Sequence, residues 1–343
     1  MPRAANVLQR RSSNPYLLLR KLTSLVLLSA LLAGCLTSLA RAQTWPAHSL
    51  RIVVSLSPGS SSDITARLVA DGLSRLLGQT VVVENRPGAG GRVAGEYVSR
   101  AAPDGYTMLL ASIATHGINP AITKNLGYDP IRDFTPIIAL ASSPNALVIT
   151  PSIPANNLSE FIAWLRAQPA GSVNYSSGGE GTSMHLAAEM FNTMIGVKTE
   201  HVPFKGTPEG LTAVMTGQTA FMFPNSPNAV PLAKGGKVRL IAATSLKRAS
   251  WMPDVPTMAE SGLPGYEMVA WFGLVAPAGV PTPIVDRLSV ELRKVLTLPS
   301  VKEGLTSQGL DVMGGTPQAL GALIASEIDK WTKVARAAGM QIQ

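Results

Sequence analysis

The 343-residue chain has one cysteine, Cys35, and only four histidines. One thiol cannot close an internal disulfide or build a cysteine-ligated metal site. His48, His116, His185 and His201 stand apart, with none of the short spacings of a zinc site. Charged residues reach only 15% and aromatic residues 5%, against 46% hydrophobic residues, so a large core forms and a disordered chain is excluded. No G-x-S-x-G, H-E-x-x-H or G-x-x-x-x-G-K sequence occurs, and no repeat recurs at a solenoid period. Asp129, Asp133 and Glu180 are candidate carboxylates that nothing in the sequence pairs.

Acid is missing altogether from the first 42 residues, which carry Arg3, Arg10, Arg11, Arg20, Lys21 and Arg41. Setting those six charges aside from the net +8 leaves +2. A nearly neutral body gives no footprint for nucleic acid. The basic start, the apolar run from Leu22 to Leu39 and a small-residue exit form an export signal. Ala40-Arg41-Ala42 offers cleavage before Gln43. Leu32-Ala33-Gly34-Cys35 offers lipoprotein processing, with Cys35 lipidated. Either way the expected location is a bacterial periplasm, where a cysteine-free body is at home.

From Arg51 short apolar runs alternate with amphipathic ones: RIVVSLS, then DITARLVADGLSRLLG, then TVVVEN, and onward through YTMLLAS. Such βαβ alternation predicts an α/β fold with parallel-rich sheets. The pattern restarts near 145–150 and returns near 268–275, which predicts two lobes joined by a two-crossing hinge. The expected lobes are 46–147 plus 270–343, and 148–269. Helical patterns over Thr282–Leu305 and Pro317–Ala338 close the chain.

Ligands of open α/β sheets bind beyond the carboxyl ends of the strands. The loops expected there are Ser57–Asp63, Ser112–Asn119, Ser176–Ser183, Lys205–Gly210 and Pro224–Asn228. They are rich in glycine and hydroxyls, and each helix N-terminus presents unpaired amides and partial positive charge to an anion. The candidate ligand residues are Gly59, Ser60, Ser61, Ser62 and Asp63 on one side, with Ser112. Ser177, Gly178, Gly181, Thr182, His185, Lys205 and Asn225 face them on the other. Asp63 or Ser62, and Thr182 or Ser183, are equally candidates for helix caps. His185 is either a ligand contact or a satisfied structural partner. The run VVVENRPGAGGRVAG follows a strand, but Gly88, Gly90 and Gly95 miss the dinucleotide spacing, so it reads as a tight turn. Met184, Met190 and Met194 read as core, and Trp271 as hinge packing. No cofactor or metal is expected.

The stretches VVVENRPGAGG, PDGYTMLLAS, YDPIRDFTPI, HLAAEMF, HVPFKG, GKVRLIAATS, PDVPTMAESGLPGYE and WFGLVAPAGVP, spread over about 46–343, resemble the Bug family. These are the periplasmic receptors of tripartite tricarboxylate transporters. The resemblance implies a type II-like periplasmic binding fold and a small organic solute, often a carboxylate, held between lobes by backbone amides and waters. It also implies delivery to membrane permease subunits by a monomer that converts nothing. The family's loop P-G-G-x-x-D-x-x-A-R is met at Pro58, Gly59, Asp63, Ala66 and Arg67, with Ser60 in place of the second glycine. Phe204-Lys205-Gly206 stands where the family often has Tyr-Lys-Gly. A periplasmic sensor for a signalling partner, or a cleft enzyme acting on a small acid, are the alternative readings.

Overall fold

The computed structural model describes residues 45–249 and 251–337. The export signal, Cys35 and the expected new terminus at Gln43 lie outside the described residues. Everything from His48 onward belongs to one compact unit.

The first sheet begins with β1 (Leu50–Val54), β2 (Val81–Asn85) and β3 (Thr107–Ser112). Ile52, Val53 and Val54 are all buried, on both faces of the strand, which suits a central position flanked by parallel neighbours. Accordingly β1 pairs in parallel with β2 and β3. The remaining strands are β4 (Phe134–Pro144), the returning Val269–Pro277 and the short Asp311–Gly314. They add antiparallel pairs, with Val269–Pro277 inserted between β3 and β4. In the second sheet Asn174–Ser177 lies parallel to Glu200–Pro203 and Phe221–Met222. Ala146–Ile149 runs antiparallel between Phe221–Met222 and Arg239–Ala243. Both sheets are therefore mixed. The βαβ units supply the parallel pairs, and the strand that follows each crossing between sheets runs against them.

Helix α1 (Ser61–Leu77) starts two residues before the expected Asp63, because the Ser60 side chain, not Asp63 or Ser62, accepts from the Asp63 amide. It stops at Gly78, whose φ of 65° is the left-handed cap conformation. The helix expected over Thr282–Leu305 is two, Thr282–Thr297 and Pro299–Ser307. Pro299 cannot donate within a continuing helix, and Leu298 before it is extended. These helices pack on α1, and the last one, Pro317–Ala337, packs on β4. Of the methionines expected in the core, Met184 is 1% exposed but Met194 is 41% exposed, since their spacing does not keep one helix face.

The two crossings are tied together at Asn145, fully buried between the sheets. Its side chain donates to the Phe223 carbonyl at 2.6 Å, and its own carbonyl accepts from the Thr244 amide and hydroxyl at 2.9 Å. Thr244 also bonds the Met268 carbonyl, so both chain passages share one hydrogen-bonded knot. Trp271 sits beside it on the returning strand, 3% exposed, as packing and not as a ligand contact.

Asp63 anchors the loop before α1. Its carboxylate accepts from the Gly59 amide (2.9 Å), Arg67 Nε (3.0 Å) and Asn85 Nδ2 (2.9 Å). Burial alone would raise its pKa; the bonds from Arg67, Gly59 and Asn85, with the Arg67 charge, outweigh it and hold the carboxyl below its ordinary value. A depressed carboxylate stabilises the fold above its unfolded pKa, and that contribution is lost as pH falls through the folded value. Asp63→Ala is expected to cost about 2–3 kcal/mol at pH 7, with the deficit shrinking below about pH 4. Urea unfolding of both proteins at pH 7 and pH 3.5 checks this; an equal deficit at both would contradict it.

Candidate functional site

The loops that close on one another all leave the carboxyl ends of parallel strands. From the first sheet come Ser55-Leu56 after β1, Gly88–Gly91 after β2 and Ser112 ending β3. The second contributes Gly178–Glu180 after Asn174–Ser177, and Phe204-Lys205 after Glu200–Pro203. One cavity between these loops, about 620 Å³, is walled by Ser55, Leu56, Gly88–Gly91, Gly178–Glu180, Pro203–Lys205 and Glu209. A second, about 430 Å³, is lined by Ala89, Arg92, Asn119, Glu180, Gly181, His185 and His201 among others. A third, about 20 Å³ and room for roughly one water, lies deeper, with Ser112, Thr182 and Asn225 on its wall.

The expected residues divide among these spaces. Gly178 and Lys205 line the first cavity, Gly181 and His185 the second, and Ser112, Thr182 and Asn225 the third. The serine loop does something else. Ser60 caps α1 and its hydroxyl pairs with that of Ser62 at 3.0 Å. Ser61 donates to Asn228 Oδ1 at 2.6 Å, Asn228 Nδ2 donates to the Gly59 carbonyl at 2.8 Å, and Ser57 donates to Glu209 at 3.0 Å. With Ser60, Ser61, Ser62 and Asp63 all under 4% exposed, the side chains of Gly59–Asp63 are taken by protein partners. The reason is local: a run of hydroxyls before a helix satisfies its own first turn, and the remainder reaches the facing lobe. Ser177 is taken too, accepting from the Gly179 amide at 3.0 Å and meeting His201 Nε2 at 2.6 Å. Thr182 caps its helix through the His185 amide, as expected.

Sequence reading set aside the group that contributes most. Gly88, Ala89, Gly90 and Gly91 have φ of 141°, 46°, 60° and 98°, a left-handed run that glycine makes accessible. Their place after a strand parallel to β1 was the available signal. Ser55, Leu56, Glu180 and Glu209 are likewise additional cavity residues.

Comparison with known proteins decides the family. Residues 65–340 match the model described as tripartite tricarboxylate transporter family receptor. The chain belongs to that receptor family. Protein BugT of Bordetella pertussis is 32% identical over 303 residues, covering 88% of this chain and 93% of its own. An R. palustris protein solved with adipate superposes with a TM-score of 0.84 at 36% identity, covering 87% of this chain and 99% of that one. MatC from Rhodopseudomonas palustris with bound malate gives 0.81 at 35% identity, over 84% and 99%. The receptor is thus a two-lobed solute-binding protein of a periplasmic family, as its sequence stretches imply. Among the described residues no helix is long and apolar enough to cross a membrane.

In the receptor the two lobes meet backbone to backbone. A Cβ on Gly90 would lie 1.9 Å from the Glu180 carbonyl oxygen. One on Gly181 would lie 2.0 Å from Asn119 Oδ1, and one on Gly206 1.9 Å from Ser57 Oγ. The neighbour of Gly90 is backbone and those of Gly181 and Gly206 are side-chain ends, so Gly90 is the position that sets how closely backbone meets backbone. Gly90→Ala is expected to hold the lobes apart and to weaken capture of any cleft ligand at least tenfold, while costing about 1–2 kcal/mol for a Cβ in the left-handed region. Small-angle scattering and calorimetry check both parts; unchanged dimensions and affinity would contradict the role.

Burial keeps His116 neutral, with its pKa lowered to about 3. Burial, then the nearby His201, lowers His185 to about 3, and burial lowers His201 to about 4. The unfolded chain protonates these rings near pH 6.5, so the stability they contribute is complete above that value and lost as pH falls toward 4. The receptor is expected to be about 3–4 kcal/mol less stable at pH 5.5 than at pH 7. A flat urea-unfolding profile between those values would contradict the burial of these rings.

Proposed function

We propose that the receptor captures a small organic carboxylate in the cleft between its two sheets and hands it, unchanged, to the membrane subunits of a tripartite transporter. The carrying observation is the 620 Å³ cavity, whose walls come from both sheets and include the glycines Gly88, Gly90, Gly91, Gly178 and Gly179. Loops at strand ends with few charged side chains suit a ligand recognised through amides and bound water. Lys205 is the cation on its wall, opposite the acids Glu180 and Glu209. That adipate and malate are bound by proteins of the same fold and over 30% identity supports the carboxylate reading.

The lobe boundaries fall two residues before and one residue before those expected from sequence, since Ala146 and Leu147 pair in the second sheet and Val269 in the first. The lobes open about the Asn145 knot, where the two passages already share hydrogen bonds. Of the hydroxyls beside the first turns of α1 and of the helix Ser183–Ile195, Ser61 is released from Asn228 as the lobes part, whereas Ser60 and Thr182 stay as helix caps. No step of catalysis is assigned. The Ser177–His201 contact buries its serine completely, and among the described residues no carboxylate bonds the other His201 nitrogen, so the pair lacks what activates a nucleophile. The receptor works in the periplasm as a monomer, either free from Gln43 or anchored through a lipid on Cys35.

Thermal unfolding with a panel of acids, adipate and malate included, tests this reading. At 100 times its Kd the correct acid is expected to add about 2.7 kcal/mol, or roughly 5–10 °C in Tm, and proton NMR after incubation is expected to show the acid unaltered. No stabilising acid, or conversion of the one that stabilises, would overturn it.

A further inference from the structure

The second cavity gathers hydrogen-bond donors that the larger one lacks. His185 and His201 lie on different elements, one on the helix Ser183–Ile195 and one on the strand Glu200–Pro203. Yet their rings stack 4.1 Å apart and 8° from parallel, and both line the cavity. Tyr175 lies against both rings, 4.9 Å from His201 and 6.4 Å from His185 between centroids, with its hydroxyl held by Glu189. The stack is therefore fixed before any ligand arrives.

Each ring has one nitrogen committed. The Gly181 amide donates to His185 Nδ1 at 3.1 Å, so this neutral ring carries its proton on Nε2. Ser177 Oγ is 2.6 Å from His201 Nε2 and 3.1 Å from the Gly179 carbonyl. The Gly179 carbonyl already accepts from the Thr182 hydroxyl at 2.7 Å, so the one serine proton is free for His201 Nε2 and leaves that ring protonated on Nδ1. Among the described residues the fully buried, unpartnered side-chain atoms are His116 Nε2, Asn192 Oδ1, Trp251 Nε1 and Trp271 Nε1. His185 Nε2 and His201 Nδ1 are not among them, so both meet the cavity. Arg92 adds a cation to the lining, ion-paired with Glu96 one turn along its helix at 3.6 Å, a contact longer than a hydrogen bond.

We propose that this cavity is a carboxylate subsite, in which the N–H groups of His185 and His201 and the Arg92 guanidinium hold one charged end of the ligand. The proposal rests on the receptor reading above and names the groups that recognise the acid. Neutral imidazole donors and one guanidinium bind a carboxylate oxygen pair through charge-assisted bonds. Glu180 lines both cavities, so the Arg92 charge has to outweigh it for a carboxylate to be held. A metal ion is a poorer occupant: among the described residues no third potential ligand gathers with the two rings.

The test is long-range proton–nitrogen NMR on receptor labelled with ¹⁵N-histidine, titrated with acetate, malate and adipate while calorimetry follows binding. The free receptor is expected to show His185 as the Nε2–H tautomer and His201 as Nδ1–H. Both protonated nitrogens then shift along one saturable curve with the calorimetric Kd. Arg92→Gln is expected to weaken that Kd at least tenfold with unchanged circular dichroism. Acid binding that leaves both rings unmoved would overturn the subsite while the receptor reading stands. Absence of binding by any of the three acids would overturn the subsite and count against the receptor reading as well.

Discussion

Close approach of backbone to backbone across the cleft is the constraint on which the rest depends. The carbonyl of Glu180 occupies the place where Gly90 would carry a side chain, and Ser57 and Asn119 stand in the same relation to Gly206 and Gly181. Amide and carbonyl dipoles from both lobes are thereby brought to the surface of one cavity. A site walled by backbone donors recognises an anion by geometry, without an arginine placed for each oxygen. The cost is conformational: glycine loses more freedom on ordering than any other residue, and here the cost falls at four successive positive-φ positions, 88 to 91.

This seam also reassigns the serine-rich loop. Its hydroxyls cap the first helix or reach Asn228 and Glu209, so they join the lobes and do not face the 620 Å³ cavity. Ser60, standing where the family has glycine, serves as the cap. A loop whose side chains bind the opposite lobe links ligand capture to closure, because its polar groups have either protein or water as partners. The buried Asn145 knot supports the same movement from the other end, letting two chain passages turn together.

Much of the fold was legible because the period of the apolar residues changes between strand and helix, and glycine and proline punctuate the changes. The α/β class, the two lobes and the helix capped by Thr182 followed from those signals. What escaped had no local signature. Asp311–Gly314 is four residues long, with two exposed and two half-buried, and pairs only through its neighbour β4. Glu180 acts through its carbonyl, which no side chain announces. His185 and His201 stack across fifteen intervening positions because a parallel strand returns beside the helix before it, a juxtaposition invisible to spacing rules. Gly88–Gly91 was read as a turn because it failed a nucleotide pattern, although its position after a strand parallel to β1 carried the information.

The central claim, two lobes closing about a hinge through a glycine seam, is open to direct measurement. A chain beginning at Gln43 contains no cysteine, so Lys124→Cys and Lys198→Cys place one spin label on each lobe, both at exposed positions. Electron–electron distance measurement is expected to give a broad distribution reaching long distances in the free receptor, collapsing to a single short distance when a bound acid saturates it. One narrow distribution, identical with and without the acid, would contradict the account.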